Sequence, residues 1–202
     1  MIEIFAHRAI YQNKENSLEG IKNNLELGFN IEIDVRKNNS GIYLSHDPKS
    51  NGGELFQNAC KIIKNYTKKV AIHIKEDLEI QEIIDLILKY NITEKCFIFT
   101  TLGKKIYTED IEIGVYQNNN KISKDAKILW CDESNEQWYN EKLFIENKKN
   151  NGTIITMSRE LFIESNLEEI KLEWRKLHKL QTDGICTDFP NELKKFVSEE
   201  LL

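Results

Sequence analysis

The feature that most constrains the fold is a regular alternation of strand-like and helix-like segments along the 202 residues. Short apolar runs, from residues 2–7 near the start to 184–188 near the end, are typical of buried strands. The longer segments between them carry apolar residues at helical spacing. Strands that alternate with helices form parallel sheets. We therefore expect an α/β protein.

The number of repeats narrows this expectation to a small (β/α)8 TIM barrel with reduced loops, formed by residues 1–202 as one domain. Nine strand-like segments, close to the eight strands of a barrel, can be counted at 2–7, 31–36, 42–46, 70–75, 95–101, 111–116, 127–131, 153–158 and 184–188. Helices are predicted over 17–27, 55–66, 78–90, 136–147 and 167–180 and from Pro190 onward, and the weakest helix lies in 101–110. An open doubly wound sheet is the alternative, but no glycine-rich fingerprint follows the first strand.

Composition limits the possible partners and the cellular location. The net charge of −5 comes from 28 basic and 33 acidic residues, so no nucleic-acid or anionic-membrane partner is expected. No signal-peptide pattern follows Met1, and no apolar run reaches membrane-spanning length, which predicts a cytoplasmic protein without a membrane span. Four isolated cysteines are expected to be reduced core residues: Cys60, Cys96, Cys131 and Cys186. The sequence does not indicate an oligomeric state.

Three of the four histidines, His7, His46 and His73, lie at or near the ends of predicted strands, whereas His178 lies on a helix. In a barrel, the carboxyl ends of the strands converge on one face, and that face holds the active site. A single histidine is more often structural than catalytic. Three histidines at equivalent positions on different strands favour a catalytic site.

Charged residues at two-residue spacing lie on the same strands. Glu32 and Asp34 share one face of the second strand, and His73 and Lys75 share one face of another. Inward-facing carboxylates need a partner, and their oxygens suit Mg²⁺ or Ca²⁺. A solvated edge strand is the alternative. Lys75 can neutralise a phosphate or form a salt bridge with the carboxylates, and Arg8 can hold a phosphate or form a surface ion pair.

These residues belong to an ordered set of motifs that brackets almost the whole chain. The set resembles the signature of glycerophosphodiester phosphodiesterases, in which His-Arg-Gly, Glu-Asn-Thr, Glu-x-Asp-Val and His-Asp follow one another. The matching segments here are Ala6-His7-Arg8, Glu15-Asn16-Ser17, Glu32-Ile33-Asp34-Val35 and His46-Asp47, and Asp183–Pro190 resembles the last strand of that family. One motif alone would be weak, but the ordered set is specific.

The resemblance implies a TIM-barrel phosphodiesterase in which His7 and His46 act as the acid/base pair. It makes Glu32 and Asp34 ligands of a divalent cation, usually Mg²⁺ or Ca²⁺. Further implied roles are phosphate contacts for Arg8 and Lys75 and a supporting role for Glu15.

The chain departs from the family pattern at three points. Ala9 stands where the family has glycine, and the insertion after His-Asp is reduced to residues 48–54. His73 occupies the position at which the family usually carries a glutamate as third metal ligand. A neutral imidazole there would shift the preference of the site towards Mn²⁺ or Zn²⁺.

The function predicted from these features is metal-dependent hydrolysis of a small glycerophosphodiester-like substrate by a two-histidine mechanism, with a role in lipid metabolism. One alternative is a phosphodiesterase for another head group, such as a nucleotide-linked or polysaccharide precursor, for which Trp130 near a strand end would be a supporting residue. The other is a degenerate barrel that binds a phosphorylated ligand without turnover.

Overall fold

The computed structural model describes residues 2–76, 80–101, 106, 108–117, 127–132, 139–150 and 152–201. Three sequence predictions extend beyond these ranges. They are the start of the helix expected from residue 78, much of the weak 101–110 segment and the start of the helix expected from residue 136.

The described residues form ten strands that belong to one sheet, with bounds β1 Glu3–Ala6, β2 Asn30–Asn38, β3 Gly41–Leu44, β4 Glu54–Leu55, β5 Val70–Ile74, β6 Cys96–Thr100, β7 Glu112–Gln117, β8 Ile128–Cys131, β9 Thr153–Met157 and β10 Gly184–Thr187. The strand order is β1-β10-β9-β8-β7-β6-β5-β2-β3-β4, with an additional β1–β2 pairing. Pairing is parallel from β2 through β5 and β6 to β10. This topology confirms the predicted (β/α)8 fold class.

The helices follow the strands as predicted, with bounds α1 Leu18–Glu26, α2 Phe56–Ile63, α3 Ile80–Lys89, α4 Glu141–Lys149, α5 Leu167–Lys179 and α6 Pro190–Glu200. Their ends have identifiable causes. The Ser17 side chain accepts a hydrogen bond from the Gly20 N–H at the start of α1, and Asn166 forms a capping box with Glu169 at the start of α5. Pro190 begins α6 at a position where its missing N–H costs nothing.

The chain divides into two compact units, Ala6–Ile113 and Met1–Phe5 with Gly114–Leu202. In the 6–113 unit, β2, β5 and β6 lie side by side. Their alternate apolar residues share one core cluster with α1, α2 and α3. The core of this unit is built mainly from isoleucine, including Ile31, Ile33, Ile72, Ile83 and Ile87, all fully buried. The alternate positions of the same strands are therefore available for polar residues.

The segment 42–46, expected as one more strand of the parallel series, instead forms a hairpin. β3 pairs antiparallel with the end of β2, from Val35↔Leu44 to Asn38↔Gly41, and β4 pairs with β3 in turn. The Ser45 N–H donates to the Asp34 carbonyl at 3.2 Å. The hairpin therefore returns the chain to the level of Asp34, and this return, rather than a parallel strand end, determines where His46 lies.

The 114–202 unit has its own apolar core beneath α4, α5 and α6, which includes Leu129, Phe144, Trp174, Ile185 and Phe196. Asp183 stabilises this unit because its carboxylate accepts from the Ile154 N–H at 2.9 Å and lies 3.2 Å from the Lys148 ammonium.

All four cysteines are free and buried, as predicted. Among the residues that the structure describes, we find no helix with the length and apolar character needed to cross a bilayer.

Candidate active site

Three of the predicted site residues meet where β2 and β5 pair in parallel. The parallel register pairs Asp34 with His73, and Glu32 lies one period earlier on the same face of β2. Both carboxylates are buried, at 3% and 1% exposure for Glu32 and Asp34. The Nδ1 atom of His73 lies 3.2 Å from Asp34 Oδ1 and 3.9 Å from Glu32 Oε1. The sequence prediction that these three residues share one site is consistent with this geometry.

Burial and their different partners shift the pKa values of the two carboxylates in opposite directions. Burial, with the charge of Asp34 beside it, raises the pKa of Glu32 to about 7, against the opposing effects of His7 and Arg8. Burial also acts to raise the pKa of Asp34. The hydrogen bond from His73 and the charges of His73 and Lys75 outweigh that effect and lower the pKa of Asp34 below its ordinary value. The site therefore keeps Asp34 ionised, while Glu32 retains a proton up to near-neutral pH.

Two features of the His73 ring bear on metal binding, its pKa and its stacking. Its burial lowers its pKa, although the hydrogen bond to Asp34 opposes this effect. The ring stacks on Phe99, its register partner on β6, with 4.6 Å between ring centroids and 16° between the ring planes. A neutral imidazole is the form that ligates metals, and the stacking restrains its plane. No role was predicted for Phe99, whose only signal in the sequence is its position two residues after Phe97 on a strand.

These donors fit a divalent cation. Glu32, Asp34 and His73 each offer one ligand atom, and these atoms all lie within 4.8 Å of one another. Ligands about 2.1 Å from a common ion stand about 3.0–3.5 Å apart, so the observed spacings need only a small closure. A cation would also offset the burial and the repulsion from Asp34 that raise the pKa of Glu32.

Arg8 borders this cluster through its backbone and its side chain. Its N–H donates to Glu32 Oε2 at 2.8 Å, and its guanidinium Nε lies 3.5 Å from Asp34 Oδ2. Glu15 holds the other end of the guanidinium, 2.8 Å from Nη1. Arg8, the predicted phosphate contact, and Glu15, its predicted support, are thus adjacent, and the Arg8 guanidinium lies beside a buried carboxylate.

Asn16 is a site residue that the sequence placed in a motif without indicating a role. Its side chain is buried and makes two hydrogen bonds to Asp34, accepting from the backbone N–H at 2.8 Å and donating to Oδ2 at 2.9 Å. Its own N–H donates to the Arg8 carbonyl at 2.6 Å. Asn16 therefore orients Asp34 and joins it to the Arg8 turn. Its left-handed backbone, with a φ of 50°, is a conformation that asparagine adopts more readily than most residues.

His46 lies at the end of the returning hairpin. Its Nδ1 atom is 2.9 Å from Asp47 Oδ1, and this hydrogen bond lowers the pKa of Asp47. The charge of His46 contributes to the lowered pKa of His73. The Arg36 Nε–H donates to the His46 carbonyl at 2.7 Å. Arg36 was missed in the sequence, although it lies two residues after Asp34 on the same face of β2.

The remaining predicted residues divide into those beside the cluster and those apart from it. Lys75 Nζ lies 3.8 Å from Asp34 Oδ1, so the salt bridge considered as its alternative role is present. The charge of His7 acts on Glu32, which sets His7 at the same site. Trp130 belongs to the 114–202 unit, where it is buried and packs edge-on against Phe5 with 6.0 Å between centroids. A substrate role for Trp130 stays a prediction.

Comparison with known proteins reveals the same fold in solved structures. No family model matches the chain, and no curated protein matches it. A Galdieria sulphuraria protein assigned as a glycerophosphodiester phosphodiesterase is similar at a TM-score of 0.76 and 17% identity, over 98% of both chains. A glycerophosphodiester phosphodiesterase from Parabacteroides distasonis is similar at a TM-score of 0.71 and 13% identity, over 100% of this chain and 98% of the other.

A third similar structure, from Silicibacter pomeroyi, is assigned as a glycerophosphoryl diester phosphodiesterase. Its TM-score is 0.74 at 11% identity, over 100% of this chain and 94% of the other. The resemblance inferred from the motifs is therefore matched by the fold along the whole chain. At these identities the comparison establishes the fold, and the chemistry has to be argued from the site residues themselves.

Proposed function

We propose that this protein is a phosphoric diester hydrolase that cleaves a glycerophosphodiester-like substrate with the help of one divalent cation. The observation that carries the proposal is the buried cluster of Glu32, Asp34 and His73, whose ligand atoms lie within 4.8 Å of one another. Arg8 and Lys75 flank this cluster through Asp34. Two buried carboxylates, an imidazole and two basic side chains form a set that can bind a metal cation and an anionic phosphate together.

Arg8 and Lys75 are suited to hold the phosphate. Arg8 has five N–H donors and Lys75 has three, more than their contacts to Asp34 use, so donors remain for a bound anion. The planar guanidinium of Arg8 can engage two phosphate oxygens, whereas Lys75 acts as a point charge. When bound, the cation supplies electrostatic stabilisation of the charge that develops on the phosphoryl oxygens.

His7 and His46 are suited to proton transfer. Asp47 engages Nδ1 of His46, which leaves Nε2 for the reaction, and His7 lies beside Glu32. One histidine would take the proton of the nucleophile, and the other would protonate the leaving alkoxide. The nucleophile is a water molecule or a neighbouring hydroxyl of the substrate, and in the second case a cyclic phosphate forms first.

We infer that His73 is the third ligand of the cation and biases the site towards Mn²⁺ or Zn²⁺. A site with two carboxylates and one imidazole is softer than one built only from oxygen donors, and imidazole suits such ions better than Mg²⁺ or Ca²⁺. Stacking on Phe99 restrains the plane of the His73 ring, and Nδ1 lies 3.2 Å from Asp34 Oδ1. For ligation, Nδ1 has to give up the proton that it shares with Asp34, and its lone pair then faces the carboxylates.

A second candidate is hydrolysis of a diester with a larger head group, such as a nucleotide-linked or polysaccharide precursor. The observation that favours it is the exposure of the His46 side of the site, where the Asp47 side chain is 83% exposed. The short 48–54 segment ends at Glu54, whose carboxylate accepts from the Leu18 N–H at the start of α1.

A release assay tests the proposal. The purified protein, stripped with EDTA, is incubated with glycerophosphocholine, glycerophosphoethanolamine, a nucleotide-linked diester and a synthetic aryl diester. Each is tested with Mg²⁺, Ca²⁺, Mn²⁺, Zn²⁺ or no metal. We expect release of an alcohol with at least one cation and none in EDTA. No release from any diester under any condition would leave a phosphate-binding barrel without turnover as the better account.

A further inference from the structure

Arg36 and Glu76 form an ion pair beside the site that the proposed chemistry does not use. Arg36 lies on β2 two residues after Asp34, and its Nη1 atom is 2.5 Å from Glu76 Oε1. The Arg36 side chain is only 12% exposed. A largely buried guanidinium needs partners for its donors, so this pair is part of the packed structure and not a loose surface contact.

The charge of Arg36 is already matched, which argues against direct binding of substrate. Glu76 neutralises the guanidinium, and the Nε–H is committed to the His46 carbonyl at 2.7 Å. Glu76 also lies within 3.5 Å of the Lys37 N–H, so its carboxylate is held from both sides. A phosphate would have to displace Glu76 to reach the same donors, whereas Arg8 and Lys75 offer cations beside the metal ligands.

What Arg36 holds is the backbone of His46. Three contacts fix this segment: Ser45 N–H on the Asp34 carbonyl at 3.2 Å, Arg36 on the His46 carbonyl, and His46 Nδ1 on Asp47 at 2.9 Å. The first two fix the backbone from which the imidazole projects, and the third leaves Nε2 for chemistry. Without Arg36, the His46 carbonyl would lose its side-chain link to the end of β2.

Glu76 connects this arrangement to the other side of the site, because it directly follows Lys75 at the end of β5. The Arg36–Glu76 pair therefore links the end of the hairpin that carries His46 to the strand end that carries Lys75. The distance between an acid/base group and the phosphate it serves has to be kept within a fraction of an ångström for efficient proton transfer.

We propose that Arg36 and Glu76 are a positioning pair that sets His46 against the phosphate held by Lys75. The inference rests on the proposed function for the role of His46. The inference also extends that function, because it assigns to Arg36 and Glu76, which are not reacting groups, the position of the His46 imidazole. Neither residue touches substrate or metal in this assignment.

The test compares Arg36→Lys and Glu76→Gln with a control, Lys37→Gln. Lys37 follows Arg36 on β2, and this control removes its ion pair with Glu82 of α3. Lysine keeps the charge of Arg36, but its single nitrogen does not reproduce the separate Nε and Nη1 donors that reach the His46 carbonyl and Glu76. Two readouts are recorded on the full chain: the nitrogen resonances and titration of the His46 imidazole by NMR, and kcat and KM on a cleaved diester.

We expect Arg36→Lys to alter the His46 tautomer balance and to lower kcat about 10²-fold with little change in KM. Glu76→Gln should act in the same direction but less strongly, and Lys37→Gln should match the wild type.

Three results would overturn the inference. They are an unchanged His46 spectrum and kcat in Arg36→Lys, a rise in KM with unchanged kcat, which would make Arg36 a substrate contact, and a lowered melting temperature with unaltered His46 resonances. The NMR readout needs no turnover. If the wild type cleaves no diester, the proposed function fails separately, and the effect of Arg36 on His46 is still decided.

Discussion

The residues at the centre of the site depend on one another for their charge. Glu32 and Asp34 are both buried within one strand period, and the partners of Asp34 keep it ionised at the expense of Glu32. Such an arrangement is unfavourable without a cation and favourable with one, because the cation compensates both carboxylates. The stability of the metal-free protein should therefore depend on whether Glu32 is protonated.

We expect Glu32→Gln to change how the stability of the metal-free protein depends on pH. The folded pKa of Glu32 is raised to about 7 from 4.5, so the folded protein holds a proton that the unfolded chain releases. Between these two pH values the wild type loses stability as pH rises, by roughly 3 kcal/mol in total. The Glu32→Gln variant has no proton to lose at this position, so this loss should be absent from it. His73, whose lowered pKa gives a loss of stability as pH falls, is present in both proteins.

The measurement is denaturant unfolding in EDTA from pH 4.5 to 8. The difference between Glu32→Gln and the wild type should grow with pH and level off above 7. Glu199→Gln, on the exposed face of α6, serves as the control. Parallel curves for wild type and Glu32→Gln would show that Glu32 does not retain a proton in the folded protein.

His73→Glu should change the choice of cation. A third carboxylate adds negative charge and a hard oxygen donor, so affinity for Mg²⁺ or Ca²⁺ should rise relative to Mn²⁺ or Zn²⁺. Calorimetric titration of each ion into both proteins reads this directly, with His178→Glu on the surface of α5 as the control. An unchanged ranking of the ions would exclude His73 as a ligand, and a raised KM without a metal effect would make it a substrate contact.

Some of these residues were predictable from the sequence, and others were not, for a physical reason. The two-residue period puts Glu32 with Asp34, and His73 with Lys75, without any knowledge of the sheet. The contacts of Asn16, Arg36 and Phe99 depend on turn conformation and on the register between strands, which a single sequence does not encode locally. Asn16 had a signal in its motif, whereas Arg36 had only its position on the Glu32 face of β2.

At the scale of elements, the turn that carries His7 and Arg8 is unusually strained. Five non-glycine residues with left-handed backbone occur within positions 8–16: Arg8, Ala9, Gln12, Asn13 and Asn16. Each costs about 1 kcal/mol relative to ordinary backbone, so surrounding contacts have to hold the segment in place. Helix α1 supplies them, through the Asn24 amide on the Ile10 carbonyl at 3.1 Å and through the close approach of Gly20.

Gly20→Ala should therefore damage both stability and activity. A Cβ at this position would lie 2.2 Å from the Ala9 carbonyl oxygen, which is backbone and can move only with the Arg8 turn. We expect a loss of about 1–3 kcal/mol in the free energy of unfolding and a lower kcat in the protein that remains folded. Lys22→Ala, on the exposed face of the same helix, should change stability by about 0.5 kcal/mol or less. A Gly20→Ala variant as stable and active as the wild type would show that α1 does not restrain the turn.

The β2–β3 hairpin shows where element prediction from sequence is limited. The apolar segment 42–46 looks like any other strand in the chain, and the turn Asn39-Ser40-Gly41 before it is the only sign of a reversal. Direction is decided by the short connection, because a parallel crossover needs a dozen or more residues. Loop length, considered together with the strand pattern, would have identified the hairpin.

At the scale of the molecule, the repeating alternation was sufficient to predict the fold class, since few topologies accommodate eight parallel strands with helices between them. The described residues of the candidate centre, from His7 to Lys75, all belong to the 6–113 unit. The fold is shared with other chemistries, so the fold by itself does not assign the reaction. The assignment depends on His7 and His46 as much as on the metal ligands.

The most direct test of this account is the turnover of His7→Ala and His46→Ala on a diester that the wild type cleaves, each loaded with the preferred cation. We expect kcat to fall by about 10²–10⁴-fold in each, the scale for removal of an acid/base group, while metal affinity and melting temperature stay close to those of the wild type. His178→Ala, which removes an exposed histidine from α5, should match the wild type. Near-wild-type turnover in folded His7→Ala and His46→Ala proteins would contradict the account.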